Sequence, residues 1–279
     1  MLAVCADHFT DVTVANTLRR HRADREDLLL SLTSALQADP HVRAAWLWGS
    51  FGRGEADDLS DLDIWFIVSD EASPEIGPSL RLYAKQAGNF IVGSESPQHA
   101  PAGGGYFSSL HEGRHGLLHL DCYWQPQSAV FQVPFEGLLF DRLDESIVSL
   151  PQEPSRAEQP LQRDDRIKDG LGFAWLMLSI AAKHLARDRN SDMSLMLYPK
   201  QGFEEAAVLL GQQGAQGAAD WTVPEKPLEK VECLRQLAGQ AERLRLAANV
   251  QGYDFSPLYT ACLLRYLNMV EAILRADAV

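Results

Sequence analysis

One short segment constrains this chain more than any other: two apolar runs that frame a glycine-rich turn and a pair of aspartates. Residues 42–48 are mostly apolar and predict a strand, and residues 64–68 form an unbroken apolar run that predicts a second, buried strand. Between them lie a turn at residues 49–54 and the tetrapeptide at residues 60–63. The local pattern therefore predicts strand, turn, paired carboxylates and strand, in that order.

The paired carboxylates indicate a cation site. Asp61 and Asp63 are separated by one residue, so an extended strand directs both side chains to the same face, where they can share a divalent ion. Mg²⁺ prefers such oxygen ligands and keeps its other positions for phosphate and water. Gly49 lets the backbone approach a phosphate closely, and Ser50 adds a hydroxyl donor. Together they predict a triphosphate cradle beside a metal platform, which in-line nucleotidyl transfer requires.

A third carboxylate follows on a predicted hairpin. Residues 106–110 and 117–123 predict two strands joined by a turn at residues 112–114. The second strand alternates apolar and polar residues, which places His119 and Asp121 on one polar face.

These motifs resemble the signature of a known superfamily, the polymerase-β-like nucleotidyltransferases. The resemblance rests on an ordered set within residues 48–68: Gly49-Ser50, Arg53-Gly54 and Ser60-Asp61-Leu62-Asp63. A helical C-terminal half in a chain of this length is similar to the antibiotic nucleotidyltransferases of the lincosamide and aminoglycoside kinds. That half matches in character, not in motif. The family places a third carboxylate on a later strand, and Asp121 fits that position.

The resemblance implies a reaction and a set of roles. The enzyme would transfer a nucleoside monophosphate, with AMP from ATP as the expected case, from a Mg²⁺-bound triphosphate to a hydroxyl of a small molecule. Asp61 and Asp63 would bridge two Mg²⁺ ions, and Asp121 would either ligate the second ion or accept the hydroxyl proton. The expected nucleotide-binding residues lie in the same segment: Gly49, Ser50, Arg53 and Ser60. Arg53 has the alternative of being an ordinary loop charge.

The remaining pattern predicts an α+β protein in two domains. Residues 1–150 would form a nucleotidyltransferase domain with a mixed, mostly antiparallel sheet, and residues 151–279 an all-helical C-terminal domain. The proline-containing residues 151–160 would link them. Apolar residues at three- and four-residue spacing predict one N-terminal helix and four C-terminal ones: 16–39, 164–187, 202–211, 227–250 and 256–276.

The helical half offers several cations that could meet the phosphates, and no local motif chooses among them. They are Lys168, Lys183, Arg187 and Lys200. Any one of them alone is expected to be a solvated surface charge.

Composition bears on partners and location. The chain has 38 acidic against 25 basic residues and a net charge of -13, which disfavours nucleic acid and favours a cationic acceptor. An amine-bearing antibiotic such as an aminoglycoside is therefore expected, with a lincosamide or a cellular metabolite as alternatives. No secretory signal or membrane-spanning run is recognisable, which predicts a cytoplasmic protein without a membrane partner. The oligomeric state stays open.

Three other functions are compatible with parts of this sequence. An inactive nucleotide-binding module and a protein-modifying nucleotidyltransferase would share the same motifs. Residues 111–115 also spell the pattern H-E-x-x-H, in which His111 and His115 would bind zinc if the segment were helical. Gly113 inside the pattern and Gly116 after it make that helix unfavourable, so the zinc peptidase is a remote alternative.

Overall fold

The computed structural model describes residues 11–101, 103–129, 137–143, 163–191, 197–211 and 223–276. Within these ranges the strands are β1 Val42–Leu47, β2 Leu62–Val68, β3 Phe90–Glu95, β4 Gly105–Gly113, β5 Gly116–Pro126 and β6 Leu138–Asp141. The helices are α1 Asp11–Ala38, α2 Gly49–Gly52, α3 Ser73–Ala87, α4 Arg163–Arg187, α5 Leu197–Leu209, α6 Pro227–Val250 and α7 Leu258–Ala276.

The six described strands form one mixed sheet in the order β3-β4-β5-β2-β1-β6. All neighbouring pairs are antiparallel except β2 and β5, which run parallel at the centre. The α+β class is thereby confirmed: a mixed, mostly antiparallel sheet is followed by helices. In this parallel pair the first residue of β2, Leu62, lies opposite Leu120 in the middle of β5.

One face of the sheet packs on α1 and α3. Alternate residues of β2 point to this face and are buried, while the residues between them point to the other face. The first set joins apolar side chains of α1 and α3 in one core: Leu62, Ile64, Phe66 and Val68 with Leu28, Leu32, Leu36, Ile76 and Leu80. The helix α3 was not predicted from the sequence.

The other face receives the C-terminal helices near the hairpin end of β4 and β5. Ile91, Leu110 and Leu117 of the sheet belong to the same hydrophobic cluster as residues of α4 and α7. In that cluster Trp175 is fully buried and stacks on Tyr259 at a centroid distance of 4.5 Å. The proposed linker at residues 151–160 lies outside the described residues, and the division into domains 1–150 and 151–279 stays a prediction.

The predicted hairpin is present with a shifted turn. Strands β4 and β5 are longer than expected, and the turn falls at residues 114–115 instead of 112–114. His111 therefore lies in β4, where its Nε2 is 3.0 Å from the Ser109 hydroxyl, and His115 lies in the turn. The helix that an H-E-x-x-H zinc site requires is not formed, because the segment pairs as a β-hairpin.

Among the described helices, none combines the length and the apolar character needed to cross a bilayer.

Candidate active site

Three aspartates meet at the start of β2, beside the middle of β5. Asp61 immediately precedes β2, Asp63 is its second residue, and Asp121 lies opposite Asp63 in the parallel pairing. Ligand atoms of Asp61, His119 and Asp121 all lie within 4.8 Å of one another. The structure therefore brings together the three carboxylates that the sequence singled out, and adds a histidine.

His119 lies between the carboxylates. Its Nε2 is 3.1 Å from Asp121 Oδ1 and 2.7 Å from the Ser108 hydroxyl, and its Nδ1 is 3.4 Å from Asp61 Oδ2. Burial disfavours the charged ring, but Asp121 and Asp61 outweigh burial and raise the pKa of His119 to about 10. The sequence predicted that His119 shares a face with Asp121, but it did not assign His119 to the site.

Lys183 reaches the site from α4. Its Nζ donates a hydrogen bond to Asp61 Oδ2 at 2.5 Å, across 122 positions of sequence. Burial raises the pKa of Asp61, yet the contacts with His119 and Lys183 outweigh it and hold that pKa below its ordinary value. Lys183, one of the four cations proposed from the helical half, therefore contacts a candidate metal ligand.

Asp63 has the opposite electrostatic character. Burial, and then the negative charges of Asp121 and Asp61, raise the pKa of Asp63 to about 7. When Asp63 is ionised, the metal-free site holds three carboxylate charges against the two positive charges of His119 and Lys183. The charge of Asp63 is the one that the site disfavours.

We expect Asp63→Asn to stabilise the metal-free protein more at pH 8 than at pH 5. The folded pKa of Asp63 is raised from 3.8, so its contribution to stability is present below that value and is lost as the pH rises through about 7. The free energy of unfolding of Asp63→Asn, relative to wild type, should rise by about 2 kcal/mol between the two pH values. Urea unfolding in EDTA measures this difference, and a pH-independent difference would contradict it.

The Gly49-Ser50 turn packs directly against Asp63. The single helical turn α2 follows β1, and the Trp48 amide donates to the Asp63 carbonyl at 2.8 Å. Gly49 has φ +59, and a Cβ on it would lie 2.8 Å from Asp63 Cγ and closer still to Oδ2. The first amides of a helical turn have no acceptor within the helix, so they are available to a phosphate. Glycine at this position keeps the turn and the carboxylate in contact.

The loop before Asp61 is held by two arginines. Arg187 of α4 donates to both carboxylate oxygens of Asp57, at 2.6 and 2.7 Å. Arg25 of α1 donates to the carbonyls of Asp57 and Ser60, at 2.9 and 2.6 Å. Local sequence did not indicate either arginine in this role, since both contacts join residues more than 30 positions apart.

Two of the expected nucleotide-binding residues have partners within the chain. The buried Ser60 hydroxyl donates to Asp57 Oδ1 at 2.8 Å and accepts from the Asp57 amide. Arg53 is exposed and donates to Glu55 at 2.7 Å. Phosphate contact by Ser60 or Arg53 stays a prediction.

The donor set fits a divalent cation. Carboxylate oxygens are the ligands that Mg²⁺ and Mn²⁺ prefer; Asp61 and Asp121 offer such atoms within 4.8 Å of each other, and Asp63 lies opposite Asp121. Asp61, Asp63 and Asp121 would hold such an ion. The neutral ring of His119 would add a nitrogen donor, which suits transition metals better than Mg²⁺, whereas the raised pKa keeps the ring protonated in the metal-free site.

Comparisons of the chain with curated proteins and with solved structures do not establish its activity. No curated protein matches the chain in sequence. A solved structure described as a STING-associated CdnE c-di-GMP synthase from Capnocytophaga granulosa matches with 12% identity, covering 96% of this chain and 86% of that one. Its TM-score of 0.27 supports no inference about activity or substrate.

Neither the family model nor the solved structure singles out the antibiotic nucleotidyltransferases. Residues 31–89, which contain the turn and the first two aspartates, match the family model "Polymerase beta, Nucleotidyltransferase". In these residues the chain is similar to the polymerase-β-like nucleotidyltransferase superfamily.

Proposed function

We propose that this protein is a metal-dependent nucleotidyltransferase that moves a nucleoside monophosphate, AMP in the first instance, from a nucleoside triphosphate to a hydroxyl of a small molecule. The observation that carries the proposal is the convergence of Asp61, Asp63 and Asp121 beside a glycine turn. The match of residues 31–89 to the nucleotidyltransferase family supports the same reaction class.

Each group of residues in the site has its own role in the proposed reaction. A bound divalent cation would neutralise phosphate charge and polarise the α-phosphorus. Asp61, Asp63 and Asp121 would hold it, and Asp121 would either ligate a second ion or accept the acceptor's hydroxyl proton. The amides of the turn at Gly49 and Ser50 hold the β- and γ-phosphates. Lys183, on Asp61, brings a positive charge to where the triphosphate would lie.

The proposed acceptor follows from the net charge of the protein and from the carboxylates of the site. The net charge is -13, and the site itself is rich in carboxylates, so Coulombic attraction favours a cationic molecule and disfavours nucleic acid. We therefore place an amine-bearing acceptor such as an aminoglycoside first. A lincosamide is the alternative with less charge.

The test is a pyrophosphate-release screen with each of the four ribonucleoside triphosphates, Mg²⁺ or Mn²⁺, and a panel of aminoglycosides, lincosamides and sugars. We expect release that depends on the metal and on one acceptor class, with product mass identifying the transferred nucleotide. Triphosphate binding without release in any combination would favour the inactive binding module. A product formed from triphosphates alone would indicate that the acceptor is a nucleotide. Label on the protein itself would indicate that the acceptor is a protein.

A further inference from the structure

Arg25 of α1 is a cation buried beside the candidate site, with an exposed fraction of only 4%. Within the described part of the chain, its side chain donates only to main-chain carbonyls, those of Asp57 and Ser60, and its Nε has no partner. The Asp57 carboxylate bonds to Arg187 instead. A buried charge is costly unless an opposite charge pairs with it. An ion pair therefore does not account for the position of Arg25.

The same guanidinium lies over an aromatic ring of α2, the phosphate turn (Gly49–Gly52). The Cζ of Arg25 is 4.6 Å from the ring centroid of Phe51, the third residue of that turn. At this distance the quadrupole of the ring attracts the cation, and more strongly where both groups are shielded from water. Arg25 therefore contacts the turn proposed to hold the phosphates as well as the loop before Asp61.

The segment between these two contacts contains neither helix nor strand. It comprises residues 53–61, which connect α2 to β2. Segments of this kind are more mobile than helices and strands unless contacts hold them. The phosphate turn lies directly against Asp63. Arg25 adds a second connection, from the turn to Ser60, the residue before Asp61.

Two other arginines contact the loop without reaching the turn. Arg187 bonds to the side chains of Asp57 and Ser60, and Arg22 bonds to Asp58. Among the described residues, neither arginine makes a hydrogen bond or ring contact with the phosphate turn. Arg25 is thus distinguished from them by its contact with both segments.

We propose that Arg25 is a positioning residue that couples the phosphate turn to Asp61, so that the triphosphate and the metal ion are held at a fixed separation. The roles of the turn and of Asp61 in this inference rest on the proposed function. A planar guanidinium suits the task, because its edge donates to carbonyls while its face packs on a ring. A change at Phe51 should therefore reach the metal site through Arg25.

The experiment measures Mn²⁺ affinity by electron paramagnetic resonance, without nucleotide, in wild type, two single variants and the double variant. Arg25→Met keeps an extended side chain but removes its donors, and we expect it to raise the Kd for Mn²⁺ about tenfold. Phe51→Leu keeps an apolar side chain but removes the ring, and we expect a rise of about threefold. In the Arg25→Met background, Phe51→Leu should cause no further rise, because its effect passes through Arg25.

A matched control separates this coupling from a general effect of α1 on the loop. Arg22→Met removes an exposed arginine of the same helix that pairs with Asp58 of the same loop. Surface ion pairs contribute little, so the Kd for Mn²⁺ should stay within about twofold of wild type. Calorimetric titration with α,β-methylene-ATP at saturating Mg²⁺ should give the same order of Kd values. Melting temperatures show which variants are folded, and Arg25→Gln replaces Arg25→Met if that variant does not fold.

Three results would overturn the proposal. They are independent, multiplying effects of Arg25→Met and Phe51→Leu on the Kd for Mn²⁺, a wild-type Kd in either folded single variant, and equal effects of Arg22→Met and Arg25→Met. A lower melting temperature of Arg25→Met with an unchanged Kd for both probes would show that Arg25 serves stability alone.

Failure of this role can be told apart from failure of the proposed function. If the four proteins bind Mn²⁺ as described but no combination of triphosphate and acceptor releases pyrophosphate, the coupling by Arg25 stands and the transferase assignment falls. If pyrophosphate release proceeds, and both the KM for triphosphate and the Kd for Mn²⁺ are unchanged in Arg25→Met and Phe51→Leu, the transferase stands and the coupling falls.

Discussion

Asp61→Asn and Asp63→Asn are each expected to slow pyrophosphate release at least about a thousandfold, equivalent to about 4 kcal/mol of transition-state stabilisation. Asparagine keeps the shape of the side chain but removes the charge that holds a divalent cation. Both residues lie where the three carboxylates converge, so neither charge can be replaced by a neighbour without moving the backbone of β2.

The stability of the two variants should change in opposite directions. Asp61 accepts a hydrogen bond from Lys183, so Asp61→Asn weakens an ion pair and lowers the melting temperature. Asp63→Asn removes a repelled charge and raises the melting temperature of the metal-free protein at pH 8. The matched control is Asp58→Asn: this carboxylate pairs with Arg22 outside the site, and its loss should leave the rate unchanged. Wild-type rates in folded Asp61→Asn and Asp63→Asn would contradict the mechanism.

Gly49→Ala is expected to slow the reaction at least about a hundredfold, because a misplacement of about 1 Å in a catalytic group can cost that much. Alanine at φ +59 is strained, and its Cβ would force the Asp63 carboxylate away from its present position. The variant should also lose affinity for Mn²⁺, which electron paramagnetic resonance measures directly.

Gly54→Ala separates backbone strain from the clash. Gly54 has φ +69, but a Cβ on it would meet nothing within 4 Å. It should therefore cost about 1 kcal/mol of stability and keep nearly all activity. Equal losses of activity in Gly49→Ala and Gly54→Ala would show that the contact between Gly49 and Asp63 is not what matters.

Several elements could be predicted because their signals are local. The apolar run of β2, the alternation in β5 and the periodic helices of the C-terminal half each depend on residues within one segment. Helix α3 was missed although its buried residues recur with helical spacing, at Ile76, Leu80, Tyr83, Ala84 and Ala87. Proline and glycine within that segment obscured the pattern. Strand β6 was missed because four residues at a sheet edge carry little periodicity.

The residues of the site also fall into two groups: those that a local sequence pattern identifies and those that only the fold brings together. Asp61 and Asp63 could be identified together because one intervening residue on a strand is enough to align them. The position of Asp121 depends on the parallel pairing of β2 with β5, which no local pattern specifies. Lys183 could not be chosen from four cations, because only the packing of α4 on the sheet brings its Nζ to Asp61.

The sequence by itself determined the chemistry that the chain can offer: two aligned carboxylates, a glycine turn, and a third carboxylate on a polar strand face. Only the tertiary structure decided the charge states and the neighbours of these groups. Burial and through-space electrostatics act between residues far apart in the chain, so they raise the pKa values of Asp63 and His119 only once the strands and α4 have assembled.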